Sequence, residues 1–418
     1  MAAPSHAPAS DRSIVAATFA AVALFVASWT LLHVGFYKHK QILDTPVYQR
    51  YGNLISDGKV PYRDFAVEYP PGALPMFALP GLAQPGRDQQ VSAGFRRTFQ
   101  TLMWICGALA IGAMALVLRA LRRRAVCVWA ALLFTALAPL LLGSVLLSRF
   151  DLWPATIVAM ALAALVSGRV RTGHALLGLG VTAKLYPAVL LPVGLAYVWR
   201  RRGRREALVC ASLAAVVVVV IFLPFVILSP GGVWDSIRTQ LDRPLQVESL
   251  GASLLLAAHH AFGVGVTGET SHGSQNLAGS GAHAFAIAAV VAQAVALLWI
   301  WTSFARGSAD GDALVRASAA SVCAFVAFGK VLSPQFLIWL IPVVPLVRGL
   351  RGLTAGALLA LALVLTQVWF PFRYFRLALD FEPGLSWLLL ARDLTLVAVA
   401  AVLAVTLRRR AATHLESP

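Results

Sequence analysis

Residues 173–199 read GHALLGLGVTAKLYPAVLLPVGLAYVW, an apolar run that contains a single charged side chain, Lys184. A transmembrane helix needs about 20 apolar residues, so the run is long enough to cross a bilayer once. Pro187, in the motif Lys184-Leu-Tyr-Pro187, opposes a continuous helix because proline has no backbone N–H to donate. The run therefore forms either one crossing or two short helices, and the choice sets the topology of the chain that follows.

The whole chain of 418 residues shares this apolar character, with 59% hydrophobic and 13% charged residues and a mean hydropathy of +0.76. Soluble domains are about 45–50% apolar and about 25% charged. The composition excludes a soluble enzyme, a disordered chain and a disulfide scaffold. Further runs of spanning or nearly spanning length lie at about 14–35, 98–118, 125–147, 152–167, 207–228, 284–304, 313–330, 335–347, 353–371 and 385–407.

Clusters of arginine beside these runs fix their orientation, because cytoplasmic loops are enriched in Lys and Arg. The clusters are Arg119–Arg124, Arg169/Arg171, Arg200–Arg205, Arg348/Arg351 and Arg408–Arg410. All of these clusters lie on the cytoplasmic side only if the run 173–199 crosses the membrane outward and comes back. The run would then form two short helices, over about 173–183 and 185–199. We predict an all-α integral membrane protein of about twelve spans. The net charge of +17 is explained by the arginines of its cytoplasmic loops, so no nucleic-acid partner is expected.

This topology divides the chain into a disordered cytoplasmic start (1–12), a polytopic membrane domain (13–407) and a cytoplasmic tail (408–418). Two long segments, 36–97 and 229–283, fall outside. Most acidic residues, Glu248 among them, lie on the outer side in this topology. The preference of Lys and Arg for the cytoplasmic side does not explain this, because Asp and Glu contribute little to membrane orientation. Within the second segment, 248–262 is a candidate interfacial or re-entrant helix, and 263–282 is predicted to be a flexible loop.

The outer segment 44–72 has the composition of a sugar site. A helix over 44–56 would place Asp44, Tyr48 and Tyr51 on one face, at positions i, i+4 and i+7. Carboxylates accept hydrogen bonds from sugar hydroxyls, and tyrosine rings stack on pyranose faces. The alternative is a loop that simply covers the helix bundle.

Cations collect at the predicted outer helix ends, with Arg149 beside Asp151, and with Lys184, Arg243 and Lys330. Ionisable groups at membrane depth are costly, and they are functional candidates by default. Lys184 and Lys330 each stand where a helix breaks, and broken helices usually line a cavity. Snorkelling to lipid headgroups is the alternative for any single residue, but several cations at one leaflet favour an anionic ligand. For Arg392-Asp393 in the last run, a structural role between helices is favoured.

Several motifs together resemble glycosyltransferase family 87, bacterial membrane mannosyltransferases of the GT-C fold. They are Asp44-x3-Tyr48-x3-Gly52, Gly58-x2-Pro61-Tyr-Arg-Asp-Phe65, Glu68-Tyr-Pro-Pro-Gly72, Arg149-Phe-Asp151, Lys184-Leu-Tyr-Pro187 and Lys330-Val-Leu-Ser-Pro-Gln-Phe336. The resemblance covers about residues 30–375. It implies transfer of a sugar from a polyprenyl-phosphate donor to a lipid or glycan acceptor, outside the cytoplasmic membrane of the cell, with Asp44 as general base.

The predicted site follows from the motifs and the cations together. Asp44 is the catalytic candidate, and no metal and no cofactor are expected, since the loop has no paired aspartates of the DxD type. The substrate-binding candidates are Tyr48, Tyr51, Tyr62, Asp64, Glu68, Tyr69, Arg149, Asp151, Lys184, Tyr186, Arg243, Lys330 and Gln335. Two alternatives remain open: a GT-C enzyme that uses another donor sugar, such as arabinofuranose, or a lipid flippase or transporter.

Overall fold

The computed structural model describes residues 7–38, 42–83 and 91–405. The protein is 76% helical with almost no sheet, which confirms an all-α integral membrane protein. The predicted tail 408–418 and the first six residues lie outside the described residues. The helices are α1 Asp11–Leu31, α2 Thr45–Ser56, α3 Pro75–Ala83, α4 Ala93–Ala120, α5 Ala125–Leu142, α6 Val145–Ser148, α7 Leu152–Val166, α8 Val170–Ala183, α9 Leu191–Arg202, α10 Arg204–Leu228, α11 Pro230–Leu241, α12 Leu250–Phe262, α13 Ser280–Arg306, α14 Gly311–Ala327, α15 Gly349–Trp369, α16 Tyr374–Ala378 and α17 Pro383–Ala404.

Seven of the described helices are long and apolar enough to cross a membrane: α1, α4, α5, α10, α13, α15 and α17. The other predicted spans are shorter helices or broken segments. The run 335–347, for example, forms two 3-10 segments, Pro334–Trp339 and Val344–Leu346, instead of one α-helix. Pro342 and Pro345 explain the difference, since each removes a backbone donor. The count of twelve therefore includes segments that do not reach spanning length individually.

The run 173–199 has the predicted form of two short helices. Helix α8 ends at Ala183, Lys184 is extended at φ −161° and ψ 146°, and α9 begins at Leu191 after a 3-10 turn over Tyr186–Leu190. Pro187 lies in that turn, where its missing N–H costs little. The break leaves Lys184 at the end of a helix with its side chain free to face a neighbouring element.

Ion pairs join several of the basic clusters to acidic residues predicted on the same side. Arg119 contacts Asp11 at 3.0 Å, and Arg171 contacts Glu206 at 2.8 Å. Arg123 and Arg348, from different clusters, both contact Asp312, at 2.6 and 3.6 Å. Pairs between distant parts of the chain indicate that these clusters meet at one end of the bundle.

The two predicted outer segments also meet each other. Ser229 Oγ donates a hydrogen bond to the carbonyl of Tyr62 at 3.0 Å, and Gln240 Nε2 donates to the carbonyl of Glu68 at 3.1 Å. Segments 36–97 and 229–283 therefore lie on the same side of the bundle. Their placement outside the cell remains a prediction.

The prediction of a flexible loop over 263–282 is wrong. Strands β2 (Thr267–Ser271) and β3 (Ser274–Ala278) pair as an antiparallel hairpin, and β1 (Leu245–Gln246) pairs with the other edge of β3. The turn residues His272 and Gly273 have φ of +54° and +65°. Positive φ at both central positions suits a two-residue hairpin turn, since its twist matches that of the strands. The segment is rich in Gly, Ser and His, a composition that is also typical of loops, so it did not indicate the hairpin.

Helix α2, which follows Asp44, is held close to α3 by a pair of glycines. A Cβ added at Gly52 would lie 2.5 Å from the carbonyl oxygen of Phe77, and one added at Gly81 would lie 2.5 Å from the backbone of Gly52. Such distances are far below a van der Waals contact, so only hydrogen fits at these positions. Helix α2 is thereby held directly against α3.

Candidate active site

A large cavity lies between the two outer segments and the broken helices, with a volume of about 960 Å³. Ligand pockets are typically about 300–1,000 Å³, so this one can hold a sugar together with its phosphate. Apolar side chains such as Phe222, Val189 and Val290 form part of its wall. The predicted site residues that line it are Asp44, Tyr62, Glu68, Tyr69, Arg149, Lys184, Tyr186, Arg243, Lys330 and Gln335.

Asp44 stands immediately before α2 and faces the cavity. Its side chain makes no hydrogen bond to the helix N-terminus and is 29% exposed. The carboxylate forms an ion pair with Arg149, which is 6% exposed, and accepts a hydrogen bond from Tyr48 Oη at 3.4 Å. The ion pair and the hydrogen bond hold the carboxylate at the wall of the cavity.

Asp151 holds Lys184 in place from beneath the cavity. The Oδ1 atom of Asp151, which is 1% exposed, accepts from Lys184 Nζ at 2.6 Å and from Trp339 Nε1 at 2.7 Å. The ammonium also lies 4.8 Å from the ring centroid of Phe150 and 5.1 Å from that of Trp339. A buried charge needs a partner, and Asp151 supplies one while Lys184 still lines the cavity.

Three aromatic rings stack in one wall. The centroid of Trp339 is 4.1 Å from that of Tyr186, with 4° between the planes, and 4.2 Å from that of Phe336. All three residues line the cavity. The break in the chain at Lys184 supplies Tyr186, and the 3-10 segment Pro334–Trp339 supplies the other two. The stack gives this wall of the cavity an aromatic character.

Arg243 and Lys330 bring two further positive charges to the cavity. Arg243 Nη2 donates to the carbonyl of His272 at 3.4 Å, and its Nε is buried without a hydrogen-bond partner. Lys330 Nζ donates to the carbonyl of Leu241 at 2.7 Å. Within the described part of the chain, neither forms an ion pair with a carboxylate. Their charges are therefore available to an anionic ligand.

Four of the predicted site residues do not line the cavity: Asp151, which lies beneath it, and Tyr48, Tyr51 and Asp64. Tyr48, 1% exposed, stacks on Phe77 at 4.6 Å between ring centroids, and Tyr51 packs against Phe65 at 6.0 Å. Asp64 instead forms an ion pair with its neighbour Arg63 at 2.9 Å. The Arg63 side chain and the Val60 N–H lower the pKa of Asp64 to about 2. The helix predicted over 44–56 is present as α2. Its tyrosines Tyr48 and Tyr51 pack into the core, whereas Asp44 lines the cavity.

The structure adds cavity residues that sequence reasoning missed, chiefly Gln246, Glu248, Phe336, Trp339 and Tyr374. The sequence offered a weak signal for Glu248, an acidic residue just before an apolar run. Trp339 lies in a run predicted to cross the membrane, so a place in the cavity wall was not expected for it.

The pair Arg392-Asp393 lies close by: Arg392 Nε contacts Asp393 Oδ1 at 2.9 Å, and both residues are buried. The favoured structural role between helices is consistent with this burial.

The fold and the site together define a multi-pass membrane protein with a cationic, aromatic cavity at one end of its bundle. The family model for glycosyltransferase family 87 matches residues 67–334, well over half of the chain. The chain belongs to this family and is a membrane glycosyltransferase with a sugar donor and an acceptor. The matched range contains the motifs at Glu68, Arg149 and Lys184 and the start of the motif at Lys330; it begins after Asp44 and ends before Gln335. A search of curated proteins gives no match.

Proposed function

We propose that this enzyme transfers a mannosyl residue from a polyprenyl-phosphate carrier to a hydroxyl of a lipid or glycan, on the extracytoplasmic side of the cell membrane. The observation that supports this most strongly is the cavity itself. It presents the carboxylates of Asp44 and Glu68, of which the resemblance selects Asp44 as the base, and two cations without carboxylate partners among the described residues, at Arg243 and Lys330. A carboxylate can abstract a proton, and the cations can bind a phosphate.

The chemistry follows from these two groups. Asp44 takes the proton from the acceptor hydroxyl as that oxygen attacks the anomeric carbon of the donor sugar. The bond between the anomeric carbon and the phosphate oxygen breaks, and its electron pair leaves with the polyprenyl phosphate. A single displacement of this kind inverts the anomeric configuration.

The leaving phosphate gains negative charge, which fixed cations stabilise well in a site with little water. Arg149, Lys184, Arg243 and Lys330 are the candidates, since all four line one cavity. Arg149 has a further role because it contacts Asp44 directly. A phosphate that draws the guanidinium toward itself would free the carboxylate to accept a proton.

The family assignment favours an enzyme over the flippase or transporter alternative, and a donor panel tests the sugar. We expect the purified protein to transfer radiolabelled mannose from polyprenyl-phosphate mannose to extracted membrane lipids or glycans, and to continue in EDTA. Polyprenyl-phosphate arabinofuranose and a nucleotide-linked mannose serve as the comparison donors. Preferential use of either one would overturn the proposed donor.

The side of the membrane can be tested by cysteine labelling in intact cells. In a background without the four native cysteines, we expect Lys59→Cys and Thr270→Cys to react with a membrane-impermeant maleimide, because both positions are exposed in the outer segments. Ser308→Cys, exposed between α13 and α14, is the matched position at the other end and should react only after the cells are opened. The reverse pattern would place the cavity in the cytoplasm.

A further inference from the structure

Glu248 is a nearly enclosed carboxyl group in the wall of the cavity. It lies between β1 and α12, is 2% exposed and lines the cavity. Gln246 Nε2 donates a hydrogen bond to its Oε2 and a second one to Ser333 Oγ, the latter at 2.9 Å. The backbone is fixed as well, since Arg392 Nη2 in α17 donates to the Glu248 carbonyl at 2.8 Å. The surrounding contacts thus hold this carboxyl at the cavity.

Charged and titratable groups surround Glu248 from four directions. Arg149 precedes α7, Arg243 precedes β1, Arg392 and Asp393 come from α17, and Tyr374 comes from α16. No ion pair within 4.0 Å joins Glu248 to any of these cations in the ranges that the structure describes. The Arg392 guanidinium donates a hydrogen bond to the Glu248 backbone carbonyl and forms an ion pair with Asp393. The carboxyl therefore lies among cations but forms no ion pair with them, and its hydrogen-bond donor is the neutral amide of Gln246.

We infer that Glu248 acts as a neutral carboxylic acid that donates a hydrogen bond to the donor phosphate, between Arg149 and Arg243. This inference rests on the proposed function, because it takes the phosphate of a lipid-linked sugar as the ligand. An ionised Glu248 would repel that phosphate, whereas the neutral acid adds a donor at the place where the two arginines already attract an anion. No proton needs to be transferred, since the acid supplies a hydrogen bond alone.

The surroundings of Glu248 support the neutral form. Burial raises the pKa of Glu248 to about 8, although the nearby arginines act in the opposite direction. Below that pH the group is protonated and can donate. As the pH rises through that value the group ionises, the donor is lost, and a negative charge appears beside the phosphate. Phosphate binding and the proton on Glu248 are thereby linked, because each favours the presence of the other.

The test compares the wild type with Glu248→Gln, whose amide is a permanent neutral donor. For the wild type we expect kcat/KM for the lipid donor to fall about tenfold between pH 7 and pH 9, as for any step that requires a protonated group of pKa near 8. Glu248→Gln should stay within a few-fold of the wild type at pH 7 and lose most of that fall. Glu248→Met, which cannot donate, should be impaired at both pH values. Asp235→Asn, an exposed acid of α11, is the matched control and should follow the wild type.

Binding of a short polyprenyl phosphate gives a second readout that needs no turnover and no mutant. Its affinity for the wild type should fall in parallel, about tenfold from pH 7 to pH 9. An unchanged alkaline fall in Glu248→Gln, or a pH-independent affinity in the wild type, would overturn the role of Glu248. Failure of the proposed function looks different, since the protein would then transfer no sugar from any lipid phosphate donor at pH 7.

Discussion

Replacing Asp44 with asparagine is expected to abolish sugar transfer while the protein still folds and inserts into the membrane. General base catalysis contributes about 10²–10⁴-fold to a rate, and the amide cannot accept the acceptor proton. Folding should survive because the Asp44 side chain is partly exposed and does not cap α2 through a hydrogen bond, although the buried Arg149 loses its ion-pair partner and the melting temperature should fall somewhat. The measurement is the initial rate of transfer from polyprenyl-phosphate mannose, with expression followed by immunoblot.

Asp64→Asn is the matched control for this experiment. Asp64 lies in the same outer segment and resembles Asp44 in that it pairs with an arginine, but it does not line the cavity. Its loss should leave the transfer rate within about twofold, in line with the small contribution of exposed ion pairs. Normal turnover by Asp44→Asn, or an equal loss in both variants, would remove Asp44 from its proposed role.

The second large effect is expected at Lys184. Lys184→Met would leave the Asp151 carboxylate buried without its cation, and breaking a buried pair in this way costs about 3–5 kcal/mol. The variant should therefore melt at a markedly lower temperature in detergent. It should also lose transfer by about 10²–10³-fold, the usual cost of removing one group that stabilises developing charge.

A double variant separates these two effects. Asp151→Asn with Lys184→Met removes both charges, so the melting temperature should largely recover because no unpaired carboxylate remains. Transfer should stay low, since the cation near the leaving phosphate is still missing. Lys59→Met, an exposed lysine of the outer segment, should change neither property. Recovery of transfer in the double variant would show that Lys184 acts only through stability.

Much of the fold could be predicted from local sequence. Apolar length and arginine clusters predicted the membrane class and the break at Lys184, and the spacing of Asp44, Tyr48 and Tyr51 suited the helix after Asp44, because these features depend on residues close together in the chain. The hairpin over β2 and β3 could not be predicted in this way. It is stabilised by pairing between strands and by a two-residue turn, and its mixed polar composition is equally typical of loops.

The site could be predicted less completely, for a related reason. Most of the predicted charged residues do line the cavity, since a charge at a helix break needs either solvent or a ligand. Glu248 and Trp339 reach the cavity through contacts between parts of the chain far apart in sequence. Gln246 N, for example, donates to the carbonyl of Lys330 at 3.0 Å and ties β1 to the second broken segment. Such long-range contacts leave no local pattern to detect.

The contact between Gly52 and Gly81 has a consequence for how this protein can change over evolutionary time. Each position excludes even a methyl group because the backbone of the facing helix occupies the space. A larger residue at either one would displace α2 and carry Asp44 away from the cavity. We therefore expect related sequences to keep both positions small, and to vary in α2 at exposed positions away from the cavity, such as Arg50.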